Sequence, residues 1–562
     1  MTRPTKIKLS GADILTNTLE CAGIETIFGF PGESSLAFYA SLSRSKQIQN
    51  VLARSELCSG FMADSYTRFS QKITVCHAPG GIGSPQFLPS LLETYNSSIP
   101  VVFISFSEPQ SQIGKWSTST FDHNTFGLVV KEAFVVQSAS QIQPIVSQAI
   151  TVAGTPRTGP VHVDIPSNLL EEHAEWNPAI KPPSSTYPNQ RPLANDLASV
   201  KALAMRLLDA ERPVLYVGGG GFLSDAGDVI QKLAESVGAV IVTTLNGKGV
   251  VPETHPHHFG VAGQKGGEVA NHSLELSDFV VIMGSKTGDK STLSWQMCET
   301  VSHSAQIDVD AREVGRNFET EINIVGDLAA VVKLLLKEIE SNGNGKTPQP
   351  LWLSREEQPE SGPNLNEDLL IRAVMMELSM HYASSGLMVT DASQASGWGG
   401  KYYQCVQGHR SFISPRGTGT IGYGLPASIG AHLARKDAPI VGIGGDGGLL
   451  MSLHEMETAK RVQVPLLYVL LDNKALGLLN EHLRLFHQTE QVLPTPADVQ
   501  WDSVAKAFGW TYLEISQESE VKEMVRRARA EKQPCLLRVI CSGVRSPDFH
   551  NTIRIQQGGK HE

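Results

Sequence analysis

The segment from Ile440 to Gly477 constrains the fold more than any other part of this sequence. It begins with an apolar run, Ile440 to Gly444, passes through the glycine-rich turn Gly445 to Gly448, and enters a helix of apolar periodicity. A second apolar run, Leu466 to Leu471, follows that helix. Short apolar runs bounded by turn residues and joined by a helix are typical of neighbouring strands in a buried parallel sheet. The segment therefore predicts an α/β fold.

Two polar residues stand where these strands end. Asp446 lies in the glycine-rich turn, and Asn473 follows the second strand. Glycines such as Gly447 and Gly448 let backbone amides approach a phosphate, and the helix after them directs its positive end toward that anion. Because the carboxyl ends of parallel strands share one edge of the sheet, Asp446 and Asn473 would offer oxygens at the same place. The pattern predicts a magnesium ion bridging a diphosphate, although an isolated Gly-Asp-Gly is more often an ordinary strand-to-helix turn.

Composition disfavours several classes of function. The chain has 562 residues, 41% hydrophobic and 19% charged, which is enough for about three globular domains. A net charge of −10 disfavours nucleic acid or an anionic membrane as the main partner. Seven cysteines without a CxxC pair fit free thiols in a reducing compartment. No apolar run is long enough for a signal peptide or a membrane span, so we expect a cytoplasmic protein.

Strands and helices alternate along most of the chain, which favours parallel sheets covered by helices. A polar, proline-rich segment, Glu171 to Pro192, interrupts the alternation and is interpreted as a linker. We predict an N-terminal domain over residues 1–170, a central domain over 190–342, a C-terminal domain over 365–545 and a tail over 546–562. Each domain is expected to be a mostly parallel sheet flanked by helices.

Several segments resemble thiamine-diphosphate (ThDP)-dependent enzymes. The GDG…N pattern ending at Asn473 resembles the ThDP motif of that family, and Ala63 to Arg68 is similar to the end of its cofactor-activating segment. The phrases GIETIFGFPG, NGKGVVPETHPHHFGVAG and GTGTIGYGLPASIGAHLA extend the resemblance over nearly the whole chain. It is strongest to acetolactate synthases, whose relatives include benzoylformate and pyruvate decarboxylases. The resemblance implies a pyrimidine-binding domain, a central domain, and a domain for the diphosphate and magnesium.

The resemblance also implies roles for individual residues. Glu56 takes the place of the glutamate that hydrogen-bonds the pyrimidine, whereas by itself it would be interpreted as a helix-dipole partner. Gly419 would accept from the exocyclic amine through its carbonyl, and Ile421, by type alone a core residue, would support the bent cofactor. The positions matching the other contacts are Asp446, Asn473 and Ala475 for magnesium, and Ala392, Ser393, Gln394, Gly447, Gly448 and Gly477 for the rest of the cofactor site.

The predicted substrate pocket departs from the pattern of acetolactate synthases. His77 matches the active-site histidine of benzoylformate decarboxylases and would move protons, although a histidine at a strand end is more often part of the scaffold. Glu481 matches an acidic residue of pyruvate decarboxylases, with a solvent-facing position on a helix as the alternative. Phe121, His123 and Leu478 would complete the pocket. These departures leave the identity of the second substrate open.

The resemblance implies a ThDP- and magnesium-dependent enzyme acting on a 2-oxo acid. The expected reaction is decarboxylation, followed by addition of the resulting enamine to a second carbonyl compound. The alternatives are a decarboxylase that releases an aldehyde and a non-catalytic relative that binds the cofactor or regulates a partner. Lys286 to Lys290 stands where flavin-binding members carry two arginines, so we expect no FAD. Active sites at the subunit interfaces of a homodimer or homotetramer are also implied.

Overall fold

Three six-stranded sheets follow one another along the chain and form its framework. The computed structural model describes residues 6–115, 123–188, 190–194, 196–342, 350–354, 368–489, 493, 497–541 and 546–556. The predicted fold class, three α/β domains each built on a mostly parallel sheet, is confirmed. The domain boundaries themselves stay a prediction.

The first sheet forms the N-terminal domain. The strands in this part of the chain are β1 (Ile7–Ser10), β2 (Thr26–Gly29), β3 (Gln49–Leu52), β4 (Thr74–Pro79), β5 (Val101–Phe106), β6 (Ala133–Val135), β7 (Val161–Asp164) and β8 (His173–Trp176). Six of them pair in parallel in the order β3-β2-β4-β5-β7-β6. β5 is buried along its whole length, as expected for a strand in a sheet covered on both faces. β1 and β8 pair separately and antiparallel, so part of the segment predicted as a linker is a strand.

Helices alternate with these strands and cover the sheet. They are α1 (Gly11–Cys21), α2 (Leu36–Leu42), α3 (Glu56–Ser70), α4 (Leu88–Ser97), α5 (Ile142–Gly154) and α6 (Asn168–Glu171). α1 begins at Ser10, whose hydroxyl accepts from the Asp13 amide at 3.2 Å and caps the helix. α3 and α4 pack so closely that a Cβ at Gly60 would lie 2.1 Å from the Ser90 hydroxyl oxygen. The small residues of α3 therefore let this helix lie buried among its neighbours.

The central domain repeats the architecture. Its strands are β9 (Pro213–Val217), β10 (Val240–Thr243), β11 (His258–Val261), β12 (Phe279–Met283), β13 (Ser304–Asp308) and β14 (Ile322–Val325), in the order β11-β10-β9-β12-β13-β14. Its helices are α7 (Leu197–Asp209), α8 (Gly220–Leu223), α9 (Gly227–Val237), α10 (Glu268–Leu276), α11 (Gln296–Thr300) and α12 (Leu328–Asn342). Leu203, Ile230 and Leu335 from three of these helices share one buried cluster with the strand residue Val281. The apolar face of each amphipathic helix therefore covers the sheet.

The C-terminal domain carries the segment from which the fold was first predicted. Its strands are β15 (Leu387–Thr390), β16 (Phe412–Ile413), β17 (Ile440–Gly445), β18 (Leu466–Asp472), β19 (Thr511–Ile515) and β20 (Cys535–Ile540), in the order β16-β15-β17-β18-β20-β19. The helices are α13 (Leu369–Tyr382), α14 (Gln394–Tyr402), α15 (Gly424–Ala434), α16 (Asp446–Ser452), α17 (Glu455–Arg461), α18 (Gly477–His487), α19 (Trp501–Ala507), α20 (Val521–Ala530) and α21 (Phe549–Gln556). β17 and β18 are neighbours, as predicted.

The chain packs into two compact units. The first comprises Met1–Gln190, Pro415–Ala438 and Met451–Leu466, and the second comprises Arg191–Ser414, Pro439–Leu450 and Leu467–Glu562. The first unit thus contains α15 and α17, and a Cβ at Gly430 of α15 would lie 2.1 Å from the carbonyl oxygen of Met62 in α3. Within the described ranges, no helix has the length and apolar character needed to cross a membrane.

The predicted tail is in part a structured element. Of its residues, 546–556 are described, and Ser546, Asp548 and Asn551 are buried. The Asn551 amide donates to the carbonyl oxygens of Gln264 at 3.1 Å and Gly266 at 3.0 Å. These bonds anchor the start of the segment within the second unit, and the boundary between the C-terminal domain and the tail stays a prediction.

Candidate active site

Asp446 lies at the carboxyl end of β17, as the first residue of α16. Its side chain is buried, and one carboxylate oxygen, Oδ1, accepts from the Gly447 amide at 2.7 Å. The other, Oδ2, has no hydrogen-bond partner among the residues that the structure describes. Burial and, to a smaller extent, the neighbouring Asp472 raise the pKa of this carboxyl to about 6, although the hydrogen bond from the Gly447 amide opposes the rise. A buried carboxylate oxygen without a partner is a candidate ligand for a cation.

The end of β18 supplies the second half of this site. Asp472 is paired with Arg538, whose Nη2 lies 2.6 Å from Oδ2, so this carboxylate already has a positive partner. The chain then turns through Lys474, which has a left-handed φ of 50°, and the Asn473 amide oxygen accepts from the Ala475 amide at 3.1 Å. The turn holds Asn473 and the Ala475 backbone together at the end of the strand next to β17. Carboxylate, amide and carbonyl oxygens are the ligands that magnesium takes, so this donor set fits the predicted ion.

The first turns of α14 and α18 meet beside Asn473. Ser393 caps α14 by accepting from the Ala395 amide at 3.1 Å, and Ala392 precedes it in the loop after β15. A Cβ at Gly477 would lie 2.7 Å from the Asn473 side-chain nitrogen and 2.9 Å from the Gln394 side-chain oxygen. A glycine is therefore required for this approach. The structure brings Gln394, Asn473 and Gly477 together. Their contact with a cofactor stays a prediction.

The approach of these helices also orients Glu481. Its Oε2 accepts from the Gln394 side-chain nitrogen at 3.0 Å, and the residue is only 8% exposed. The alternative of a solvent-facing position on α18 is therefore wrong. Burial raises the pKa of this carboxyl, and the Gln394 hydrogen bond partly opposes the rise. Leu478 lies half-buried in the first turn of the same helix.

Glu56 begins α3 in the first unit and is buried. Burial raises the pKa of its carboxyl, so the protonated form is favoured more than in water. A Cβ at Gly83 would lie 2.9 Å from Glu56 Oε1 and 2.8 Å from the Pro79 ring. Gly83 is thus a site residue that our sequence reasoning missed, although the glycines of APGGIGS gave a signal for close backbone approach.

Residues 417–423 form an irregular segment with bends and a turn in the first unit before α15. Gly419 has a φ of 75°, a conformation that favours glycine, and Ile421 is 39% exposed instead of lying in the core. Glu93 of α4 anchors the start of this segment by accepting from the amides of Gly417 and Thr418, each at 2.8 Å. A Cβ at Gly417 would lie 2.4 Å from the Glu93 carbonyl oxygen. Gly419 and Ile421, which are predicted to contact the cofactor, therefore lie in a segment that is anchored to the N-terminal domain.

The other end of this segment is anchored by a buried ionic network. Arg68 lies between Asp64, 2.8 Å from its Nε, and Glu93, 3.0 Å from its Nη2. The Tyr423 hydroxyl donates to Asp64 Oδ2 at 2.6 Å. Arg68 holds the pKa of Glu93 below its usual range, against the opposing effect of burial. The charges of the ADSYTR segment thus position the backbone around Gly419, a role that sequence reasoning did not identify.

His77 does not lie where the prediction placed it. Side chains alternate along β4, and the Cys76 thiol faces α3, where it donates to the Ser59 carbonyl oxygen at 3.7 Å. His77 therefore points to the opposite face of the sheet, among the rings of Phe38 and Tyr39. Neither ring nitrogen has a hydrogen-bond partner in the described part of the chain, and burial lowers the pKa to about 3. A neutral imidazole on the face away from Glu56 is not placed to shuttle protons, so we leave it out of the site.

Two predicted pocket residues remain undescribed. Phe121 lies outside the described residues, as does the side chain of His123, whose backbone begins a short 3-10 helix.

Comparison with known proteins agrees with this geometry. Three family profiles match in succession: the N-terminal TPP-binding domain of thiamine pyrophosphate enzymes over residues 9–126, their central domain over 200–335, and their C-terminal TPP-binding domain over 391–539. A probable acetolactate synthase large subunit from Methanococcus aeolicus is 29% identical over 94% of this chain and 91% of its own length. The acetolactate synthase isozyme 1 large subunit of Escherichia coli K12 is 28% identical over 96% of this chain and 95% of its own.

These profiles span the domains that hold Glu56 and Asp446, and the matches to synthases cover nearly the full length of the chain. The protein is therefore a ThDP-dependent enzyme of the lyase and transferase type, in the family that includes the acetolactate synthase large subunits.

Proposed function

We propose that this enzyme decarboxylates a 2-oxo acid and joins the remaining acyl unit to a second carbonyl compound, using ThDP and Mg²⁺. The observation that carries the proposal is the buried Oδ2 of Asp446, which has no hydrogen-bond partner in the described part of the chain. Asp446 lies at the end of β17, next to β18, the strand that Asn473 follows. The relatives named as acetolactate synthases support ligation as the outcome and pyruvate as the first substrate to test. ThDP, when bound, supplies a nucleophilic carbon and an electron sink for the decarboxylation.

The second unit would hold the metal and the diphosphate. Asp446, Asn473 and the carbonyl oxygen of Ala475 would bind Mg²⁺, because all are hard oxygen ligands at one edge of the sheet. The diphosphate would meet backbone amides at the start of α16 and the loop before α14, where the glycines and a capping serine leave room. The residues proposed for these contacts are Ala392, Ser393, Gln394, Gly447, Gly448 and Gly477.

The first unit would hold the pyrimidine. Glu56 would share a proton with a ring nitrogen, since its burial favours the protonated carboxyl. The Gly419 carbonyl would accept from the exocyclic amine, and the exposed Ile421 side chain would pack under the ring. The close approach of Gly83 keeps the Glu56 carboxyl in place. These residues would therefore orient the pyrimidine and share a proton with its ring nitrogen.

The products formed from pyruvate test the proposal directly. The full chain, supplied with ThDP, Mg²⁺ and pyruvate, is expected to release carbon dioxide and acetolactate or acetoin, with little acetaldehyde. Other 2-oxo acids and aldehydes would then define the two substrates. If carbon dioxide were released with a stoichiometric amount of free aldehyde and no ligated product under any pairing, the ligation step would be contradicted.

A second candidate is a decarboxylase that releases the aldehyde, and Glu481 favours it. This carboxyl is buried with a raised pKa, so it stays a proton donor at higher pH than an exposed glutamate. Proton donation leads to release of the acyl unit as an aldehyde. Ligation instead requires that the donor transfer no proton before the second carbonyl compound has added. If Glu481 is that donor, Glu481→Gln shifts the product ratio away from aldehyde while the release of carbon dioxide continues.

We further propose a cytoplasmic homodimer or homotetramer without bound FAD. The family resemblance implies active sites between subunits, and the six cysteines whose side chains are described are free thiols, which supports a reducing compartment. Sedimentation equilibrium would measure the assembly, and the absorption spectrum of the purified protein would reveal any flavin. A monomer with full activity would contradict the shared site.

A further inference from the structure

Three potential metal ligands lie together in the first unit. Cys58 is the third residue of α3, His454 immediately precedes α17, and Glu455 is the first residue of that helix. The Cys58 sulfur lies 3.6 Å from His454 Nε2, and this nitrogen lies 3.6 Å from Glu455 Oε1. One ligand atom from each of the three residues lies within 4.8 Å of the others.

These separations match a tetrahedral zinc site. Zinc bonds of about 2.3 Å to sulfur and about 2.0–2.1 Å to nitrogen place two tetrahedral ligands roughly 3.6 Å apart. The distance between the sulfur and the nitrogen already has this value. One oxygen of the Glu455 carboxylate lies within 4.8 Å of both other ligand atoms and would occupy a third corner of the tetrahedron.

Packing fixes the orientation of the carboxylate. Glu455 is fully buried, and its oxygens accept from the Arg54 amide at 2.9 Å and the Thr458 hydroxyl at 2.6 Å. Cys58 is also buried, whereas the His454 side chain is 44% exposed. The buried pair provides a preformed site, and the exposed side of the imidazole leaves a path for the ion and for a water molecule as the fourth ligand.

Charge and ligand type favour zinc over magnesium here. Metal binding would displace the proton of the Cys58 thiol, and the resulting thiolate and the carboxylate would carry two negative charges that a divalent ion neutralises. Sulfur and imidazole nitrogen are ligands for zinc, whereas magnesium takes oxygen ligands. This cluster and the Asp446 site therefore select different ions.

We propose that Cys58, His454 and Glu455 bind one zinc ion per chain, which ties the start of α17 to the first turn of α3. The site does not depend on the reaction proposed above, and it lies two residues after Glu56 along α3. Bound zinc would thus restrain the helix turn that carries Glu56. The expected effect is structural, because none of the three ligands is among the residues proposed to contact the cofactor.

Cobalt provides a direct optical test of the site. The full chain is freed of metal with a chelator and titrated with Co²⁺ in the absence of ThDP. The expected result is an intense thiolate-to-cobalt absorption band that saturates at one equivalent per chain and disappears when Zn²⁺ is added. The oxygen ligands of the magnesium site cannot give this band, so the readout is specific to a cysteine.

Variants identify the ligands. Cys58→Ser should abolish the band, and His454→Gln, at a half-exposed position, should weaken Zn²⁺ binding by about tenfold or more. Cys21→Ser, at an exposed cysteine in the same unit, should leave band and affinity unchanged. Zn²⁺ should also raise the thermal unfolding midpoint of the parent protein and not that of His454→Gln. A full band in Cys58→Ser, its absence from the parent protein, or unchanged Zn²⁺ affinity in His454→Gln would overturn the proposal.

Discussion

The carboxylate of Glu93 accepts a hydrogen bond from the backbone amide of Thr418, 325 residues further along the chain, at 2.8 Å. The same carboxylate pairs with Arg68 at 3.0 Å. One buried side chain thus joins the charged end of α3 to the segment carrying Gly419 and Ile421. A buried ion pair of this kind stabilises a specific arrangement mainly because removing one partner leaves the other charge buried and uncompensated.

Glu93→Gln should therefore destabilise the protein and loosen this segment. The neutral amide leaves Arg68 with only Asp64 as an ionic partner, and we expect a loss of about 2–4 kcal/mol in the free energy of unfolding. We also expect weaker ThDP binding, because Gly419 is no longer held. Glu25→Gln, which breaks the exposed pair with Lys72, is the control and should cost less than about 1 kcal/mol. Equal unfolding midpoints for the two variants would show that the network does not hold the segment.

Glu56→Gln should abolish most of the activity without unfolding the protein. Glutamine keeps the size of the side chain and removes the acidic proton, so turnover should fall by about 10²- to 10⁴-fold. The comparison is Glu171→Gln, an exposed glutamate at the end of α6 in the same domain, which should retain full turnover. Steady-state release of carbon dioxide measures both. Parent-like turnover in Glu56→Gln would remove this residue from the site.

Gly477→Ala should weaken the binding of ThDP with magnesium. The added methyl group would meet the Asn473 and Gln394 side chains at 2.7 and 2.9 Å and push them from their positions. A clash that costs about 1–3 kcal/mol lowers affinity roughly 5- to 150-fold. Gly267→Ala is a matched control in the same unit, because no atom of the described residues lies within 4 Å of a Cβ added there. Calorimetric titration with ThDP and Mg²⁺ measures both, and equal dissociation constants would refute the role of this approach.

His77 predicts how stability depends on pH. Its pKa is lowered to about 3 in the folded protein, so below pH 6.5 the imidazole is protonated mainly in the unfolded chain. Above pH 6.5 His77 makes its full contribution to the free energy of unfolding. As the pH falls that contribution decreases, by about 2 kcal/mol at pH 5. His77→Gln should be less stable at neutral pH and should lose this part of the pH dependence.

The control for that prediction is His173→Gln, at an exposed position of β8, which should keep the parent pH dependence. Urea unfolding at several pH values between 5 and 8 measures all three proteins. If the free energy of unfolding of His77→Gln depended on pH as it does in the parent protein, other groups would cause the acid sensitivity.

Sequence reasoning was most successful where a pattern is local. The two strands that flank the Asp446 turn are apolar runs with polar ends, and their adjacency follows from a short helical crossover. Glu56 lies in the first turn of a helix, as its interpretation as a helix-dipole partner implied. The fold class and the family follow from such segments, because each carries its own signal.

The face on which a side chain lies was harder to predict. β4 is buried on both faces, so its residues show no alternation of polarity from which to tell whether His77 or Cys76 faces α3. The contact of Glu93 with Thr418 depends on packing between segments far apart in sequence. The burial of Glu481 arises from its pairing with Gln394, which no periodicity of α18 reveals.

Complementation between two inactive variants tests whether one cofactor site is built from residues of two subunits. The proposal places Glu56 of one subunit and Asp446 of its partner at the same ThDP molecule. Glu56→Gln and Asp446→Asn chains should each be nearly inactive alone. When they are unfolded together, refolded and supplied with ThDP, Mg²⁺ and pyruvate, hybrid dimers contain one intact site, and activity should return to about a quarter of the parent value. A mixture that stays as inactive as either variant, despite hybrid dimers shown by native mass spectrometry, would contradict a cofactor site built from these two residues across subunits.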